Sequence, residues 1–131
     1  KTIHGKFVAP APIEGAFAEN SFVEQQCLLG RGFSKTVIVG VLTDEAQNKS
    51  SAEVEDSIKE SVTSINLQQE KHAHIGAVIL SREAWSVENE ILTPTMKIRR
   101  DRVEERFGVQ AEDLARAAAE AGELLVFWES N

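Results

Sequence analysis

One residue offers chemistry that a purely structural role explains poorly. Lys97 lies within Leu92 to Arg106, LTPTMKIRRDRVEER. Glu90-Ile91-Leu92 reads as the end of a strand, Thr93-Pro94-Thr95 interrupts any ladder because proline has no donor, and a helical pattern begins near Arg100. Lys97 is therefore expected on a strand-to-helix connection. If that short piece is extended, the apolar neighbours Met96 and Ile98 point away from it and hold the ammonium out from an anchored backbone. Such a loop aims a single positive charge.

The other candidates are weaker. Cys27 is the only cysteine and sits in an apolar stretch with no histidine nearby in a recognisable pattern, which reads as an inert buried thiol. His72 and His74 flank Ala73 without a carboxylate or cysteine at ligand spacing, so they are assigned to the surface and no metal site is expected. Gly30-Arg31-Gly32 lacks the further glycine and the following helix of a phosphate loop and reads as a turn. Glu53, Glu55, Asp56, Lys59 and Glu60 form the solvated face of a helix rather than a carboxylate pair. Arg99, Arg100, Arg102 and Arg106 read mostly as surface.

Thr95-Met96-Lys97-Ile98-Arg99-Arg100, preceded by Leu92-Thr93-Pro94, resembles the last signature of the AMP-forming acyl-CoA synthetases, in the form found among long-chain fatty acid–CoA ligases. Other branches of that superfamily carry glycine where this chain has Met96. Glu90 stands where the long-chain branch usually has glycine, so a turn of different shape is expected before Thr93. A second string, Gly5-x-x-Val8-x-Pro10-x-x-Ile13-Glu14, is similar to the signature that opens the small C-terminal domain of the same superfamily, with Pro12 in place of an acidic residue. The resemblance implies that Lys97 bridges the substrate carboxylate and the α-phosphate of ATP during adenylation. It also implies that a hairpin at Gly5, Lys6 and Phe7 lines the tunnel through which CoA arrives. Gly5 suits such a place, because a backbone without a Cβ can pass close to a ligand.

The totals bound the rest. With 131 residues, 42% hydrophobic and 27% charged, one compact domain is expected. A net charge of −7 disfavours nucleic acid or an anionic membrane as a general partner. The lone cysteine allows no internal disulfide and fits a reducing cytoplasmic setting. No apolar run is long enough to span a bilayer, and Lys1 opens no signal-peptide pattern. A start on lysine rather than methionine fits a piece of something longer.

The elements that must carry these residues follow from periodicity. Thr2-Ile3 and Phe7-Val8 around His4-Gly5 read as a hairpin, and Pro12 suits the first turn of a helix ending near Asn20, with Ile13 and Phe17 on one face. Val23 to Leu29 and Thr36 to Leu42 read as core strands, the second apolar on both faces. Ser50-x-x-Glu53 caps a helix whose Val54, Ile58, Val62 and Ile65 form a buried stripe. Ala77 to Leu80 is a third strand, and Trp85 is expected over the sheet edge. Val103 and Phe107 share a helical face that Gly108 ends. Ala111 to Ala121 is a further helix stopped by Gly122, and Leu124 to Trp128 is an added strand or a docked tail.

The expected fold is α+β: a small β-hairpin followed by a compact mixed or antiparallel sheet of about three strands flanked by helices, as in the C-terminal domain of adenylate-forming enzymes. The resemblance implies that residues 1–131 are the mobile C-terminal domain of a fatty acid–CoA ligase. The ATP- and acyl-binding domain would be a partner on the same polypeptide and absent from this chain. ATP, CoA and Mg²⁺ would then serve the complete enzyme, none is expected bound to the fragment, and the fragment alone is expected to be inactive. The competing expectation is a free-standing regulatory or binding module that has kept the shape and lost its partner. Acyl chain length, CoA as against a carrier-protein thiol, and oligomeric state are not written in these residues.

Overall fold

The structure, a computed structural model, describes residues 8–129. Four strands form one sheet in the order β1 (Val23–Leu29), β2 (Thr36–Leu42), β3 (Ile75–Ser81) and β4 (Leu125–Trp128). β1 pairs antiparallel with β2, and β2 with β3 and β3 with β4 are parallel. The sheet is mixed, as expected, and larger by one strand. Leu124 to Trp128 had two readings, and the strand is the one realised, because β3 offers its free edge from Ala77 to Leu80. The hairpin read around Gly5 lies outside the described residues.

β2 and β3 are buried at every position, as apolar residues on both faces require. Alternate side chains feed two separate cores. Ile38, Leu42, Val78 and Leu80 pack beneath α1 (Pro10–Phe17) and α3 (Ser51–Leu67), whereas Val37, Val39, Val41, Ala77 and Ile79 pack beneath α4 (Arg100–Ala121). In α1 the buried pair is Ile13 and Phe17, and the helix begins at Pro10, two residues before the expected proline. A short helix, α2 (Asp44–Gln47), is capped by the Thr43 hydroxyl, which accepts from the Ala46 amide. The Ser50 hydroxyl accepts from the Glu53 amide at 3.1 Å and opens α3. The α3 stripe of Val54, Ile58, Val62 and Ile65 is buried throughout, each side chain contributing roughly 1.5–3 kcal/mol.

α4 departs from expectation. It runs 22 residues without a break, with Gly108 inside it, where a turn end was read. Val103, Phe107, Ala111, Ala115 and Ala118 keep one buried stripe through the glycine, so packing overrides its propensity cost of about 1 kcal/mol. Gly122 ends the helix in the left-handed conformation (φ 70°). The chain steps from β2 to β3 to β4 in one direction, yet its two crossover helices lie on opposite faces. Two such steps cannot share a hand, so one crossover departs from the usual right-handed rule.

Candidate functional site

Segment 82–99 has no regular element, and side chains hold it to the sheet. The Gln25 amide grips the backbone of Trp85 twice, accepting from its N–H at 2.7 Å and donating to its carbonyl at 3.1 Å. Trp85 is buried with its ring 6.4 Å from that of Phe107, so it packs between the sheet and α4. Asn89 Oδ1 accepts from the Ser86 amide at 2.9 Å and its Nδ2 donates to the Ala84 carbonyl at 3.0 Å, which folds the next turn on itself. Ile91 and Leu92 then enter the core.

From this anchor the chain turns out and back as a tight hairpin. Leu92 bridges Ile98 in antiparallel fashion, the Arg99 amide donates to the Ile91 carbonyl at 2.7 Å, and the Thr93 amide donates to the Lys97 carbonyl at 2.8 Å. The Met96 amide donates back to the Thr93 carbonyl at 2.8 Å, and the Thr93 hydroxyl accepts from the Lys97 amide at 3.1 Å. Proline fits the turn because its missing donor faces no acceptor there. Lys97 therefore sits on a closed hairpin rather than on the open, extended connection read from the sequence. The alternation expected across Met96 fails because Met96 is left-handed (φ 66°).

Glu90 is left-handed as well (φ 68°), and these two are the positive-φ residues other than glycine among the described residues. Both stand where the sequence resemblance placed a glycine. Glu90 thus takes a backbone conformation that favours glycine.

Lys97 is exposed and pairs with no carboxylate among the described residues. The four arginines that follow it are all engaged: Arg99 with Asp101, Arg100 with Glu14, Arg102 with Glu105, and Arg106 with Glu83 and Glu129. Their side chains are all partly exposed, that of Arg100 the most at 41%, and Arg100 also spans from the start of α4 to Glu14 of α1 and to β1. No sequence pattern announces that pair, although Glu14 and Arg100 each end one of the quoted strings.

The remaining candidates fall out as follows. Cys27 is buried, and burial pushes its thiol up to about 12 despite the opposing charge of Arg100, so it stays protonated and unreactive near neutrality. His74 is half-buried with Nε2 3.0 Å from the Gln69 carbonyl, and His72 Nδ1 lies 3.5 Å from Glu70. Among the described residues no three His, Cys, Asp or Glu side chains converge to hold a metal. Gly5, Lys6 and Phe7 lie outside the described residues. No helix of the structure is long and apolar enough to cross a membrane among the described residues.

Comparison with known proteins bears on family and fold. The family model described as the AMP-binding enzyme C-terminal domain matches residues 2–118. The chain is 26% identical over 124 residues to the probable acyl-activating enzyme 16, chloroplastic, of Arabidopsis thaliana, covering 84% of this chain and 17% of that protein. It is 29% identical over 126 residues to the long chain acyl-CoA synthetase 6, peroxisomal, of the same plant, covering 82% and 18%. The chain thus spans less than a fifth of the curated relatives it matches.

Among solved structures, the A-PCP didomain of carboxylic acid reductase from Segniliparus rugosus in complex with AMP superposes with a TM-score of 0.75 at 26% identity, over 92% of this chain and 17% of that one. The adenylation domain of the carboxylate reductase from Mycobacterium chelonae gives a TM-score of 0.72 at 25% identity, over 87% and 19%. With two layers of helix about a mixed sheet and a family match over most of its length, the chain belongs to the family of AMP-binding enzyme C-terminal domains.

Proposed function

We propose that this domain serves an ATP-dependent, AMP-forming fatty acid–CoA ligase of the long-chain type, as the mobile part that brings Lys97 to a nucleotide held by a larger domain of the same polypeptide. In the first half-reaction the substrate carboxylate attacks the α-phosphorus of ATP, the bond from that phosphorus to the α,β-bridging oxygen breaks, and pyrophosphate leaves. Negative charge builds on the α-phosphate oxygens in that step, and a fixed ammonium opposes it. In the second, the CoA thiol attacks the acyl carbonyl and AMP departs. Gly5, Lys6 and Phe7 would line the path of the thiol after the domain rotates as a body. Mg²⁺ would neutralise phosphate charge and be held by the larger domain, since no acidic or histidine cluster of the described residues is arranged for it.

The observation that carries the reading is Lys97 itself: exposed, without an ionic partner among the described residues, and presented on a hydrogen-bonded hairpin. The test is Lys97→Ala in the complete enzyme. Carboxylate-dependent pyrophosphate exchange is expected to fall by about 10²–10³-fold, the range for loss of one transition-state donor, while thioester formation from supplied acyl-adenylate largely persists. Equal loss in both assays would overturn the assignment. A second reading has support in the likeness to an A-PCP didomain, where the thiol would belong to a carrier protein rather than to CoA. Offering both thiols to the acyl-adenylate separates the two. A reducing compartment of the cell suits either reading, since the lone thiol is protected only by burial.

A further inference from the structure

We propose that Glu14 and Arg100 are positioning residues that fasten the Lys97 hairpin and α1 to one another, as a single unit. The inference rests on the reading of Lys97 above, and it arises from how the outer edge of β1 is closed. Leu28 lies opposite Ile38 of β2. Within a strand, the N–H and C=O of one residue point to the same side, and those of Leu28 point away from β2. The Leu28 amide donates to Glu14 Oε2 at 2.7 Å, and its carbonyl accepts from Arg100 Nη1. Arg100 Nη2 donates to the same carboxylate, at 3.1 and 3.3 Å to its two oxygens. An ion pair thus takes the place of a neighbouring strand at this edge position.

Further bonds tie the pair in. The Gln26 side chain of β1 donates from Nε2 to the Glu14 backbone carbonyl at 2.8 Å, and Arg100 Nη1 also reaches Cys27 Sγ at 3.3 Å. The Glu14 side chain is 19% exposed and that of Arg100 41%, so the joint is partly screened from water rather than an open surface pair. Its two members lie 86 residues apart, one in α1 and the other at the first residue of α4, three residues after Lys97. The covalent path from Lys97 to Arg100 is short. A loss of Arg100 contacts therefore frees the start of α4 and, with it, the returning arm of the hairpin, while the sheet keeps its own ladder. Neither residue touches substrate in this scheme, and both act through Lys97.

The test has two parts. On the chain described here, amide hydrogen exchange is compared for Arg100→Met, Glu14→Gln and the double variant, with Arg100→Lys as a milder change that keeps the charge. The amides of Met96, Lys97 and Arg99 are expected to exchange at least tenfold faster in Arg100→Met, with the amides of Val78 and Ile79 in β3 changing less. The double variant is expected to be no faster than the worse single one, since both remove the same joint. A change under threefold at the hairpin, a β3 change as large as the hairpin change, or independent addition of the two effects would overturn the proposal. Should Arg100→Met not fold, the same criteria apply to Arg100→Lys and Glu14→Gln.

In the complete enzyme, Arg100→Met is expected to lower the kcat of pyrophosphate exchange about tenfold with the KM for ATP within twofold of the parent. If Lys97→Ala abolishes exchange and Arg100→Met leaves kcat unchanged, the positioning role falls. If neither variant alters exchange while the hairpin amides respond as described, the joint stands as a structural link and it is the reading of Lys97 that falls.

Discussion

Replacing Met96 by glycine is expected to stabilise this domain, although glycine usually costs stability. Met96 holds φ at 66° at the tip of the hairpin, where a Cβ costs about 1–2 kcal/mol. Glycine removes that cost and adds back roughly 0.5–1 kcal/mol through the greater freedom of the unfolded chain. The fair reference is Met96→Ala, which keeps the Cβ and loses the same exposed side chain, so that side-chain effects cancel. Met96→Gly should then exceed Met96→Ala by about 0.5–1 kcal/mol, a rise of roughly 2–4 °C in Tm for a domain of this size. Glu90, at φ 68° and likewise exposed, should give the same ordering, and the pair should add because their backbone turns are separate. Thermal unfolding by circular dichroism, supported by urea titration, reads the difference. If either alanine variant equals or exceeds its glycine counterpart, the argument from backbone strain is wrong.

Three further outcomes follow from the core. Gly76→Ala should destabilise by about 1–3 kcal/mol, read from the urea midpoint at unchanged m, because a Cβ there would lie 2.6 Å from the Lys35 Cβ, which is not a movable chain end. Cys27 should resist iodoacetamide at pH 8 in the folded chain and react once urea unfolds it. Its folded-state value, raised from 9.0 to about 12, means the stability it contributes is complete below pH 9 and drains away as pH climbs toward 12. A Cys27→Ala variant should show a shallower loss over that window.

The elements with a strong period were plain in the sequence. Val54, Ile58, Val62 and Ile65 announce both the helix and its buried face, and TVIVGVL announces a strand covered on each side. The bounds of β1 and β2 match those read from the residues. What the letters concealed depended on tertiary packing. Gly108 looked like a stop, yet Phe107 and Ala111 on either side of it are pinned in the same core and carry the helix through. β4 was ambiguous because an apolar run of five cannot say whether an edge awaits it, and the free edge of β3 decided the matter.

Lys97 was found by its neighbours' identity. The hairpin that presents it was not, since a left-handed methionine breaks the usual turn code. The Gln25 fork on Trp85 spans 60 residues and the Glu14–Arg100 pair 86, separations that no local pattern spans.

The hydrogen bonds that close Thr93 to Lys97 into a ring of backbone matter beyond the domain's own stability. A slack loop of five residues would surrender roughly 5–10 kcal/mol of backbone freedom on meeting another protein surface. Here that freedom is gone before any encounter, and only the lysine side chain, about 1.5–2 kcal/mol, remains to be stilled on contact. Under the proposed function, docking and release would therefore be both specific and brief, because little order has to be created on arrival or dissolved on departure.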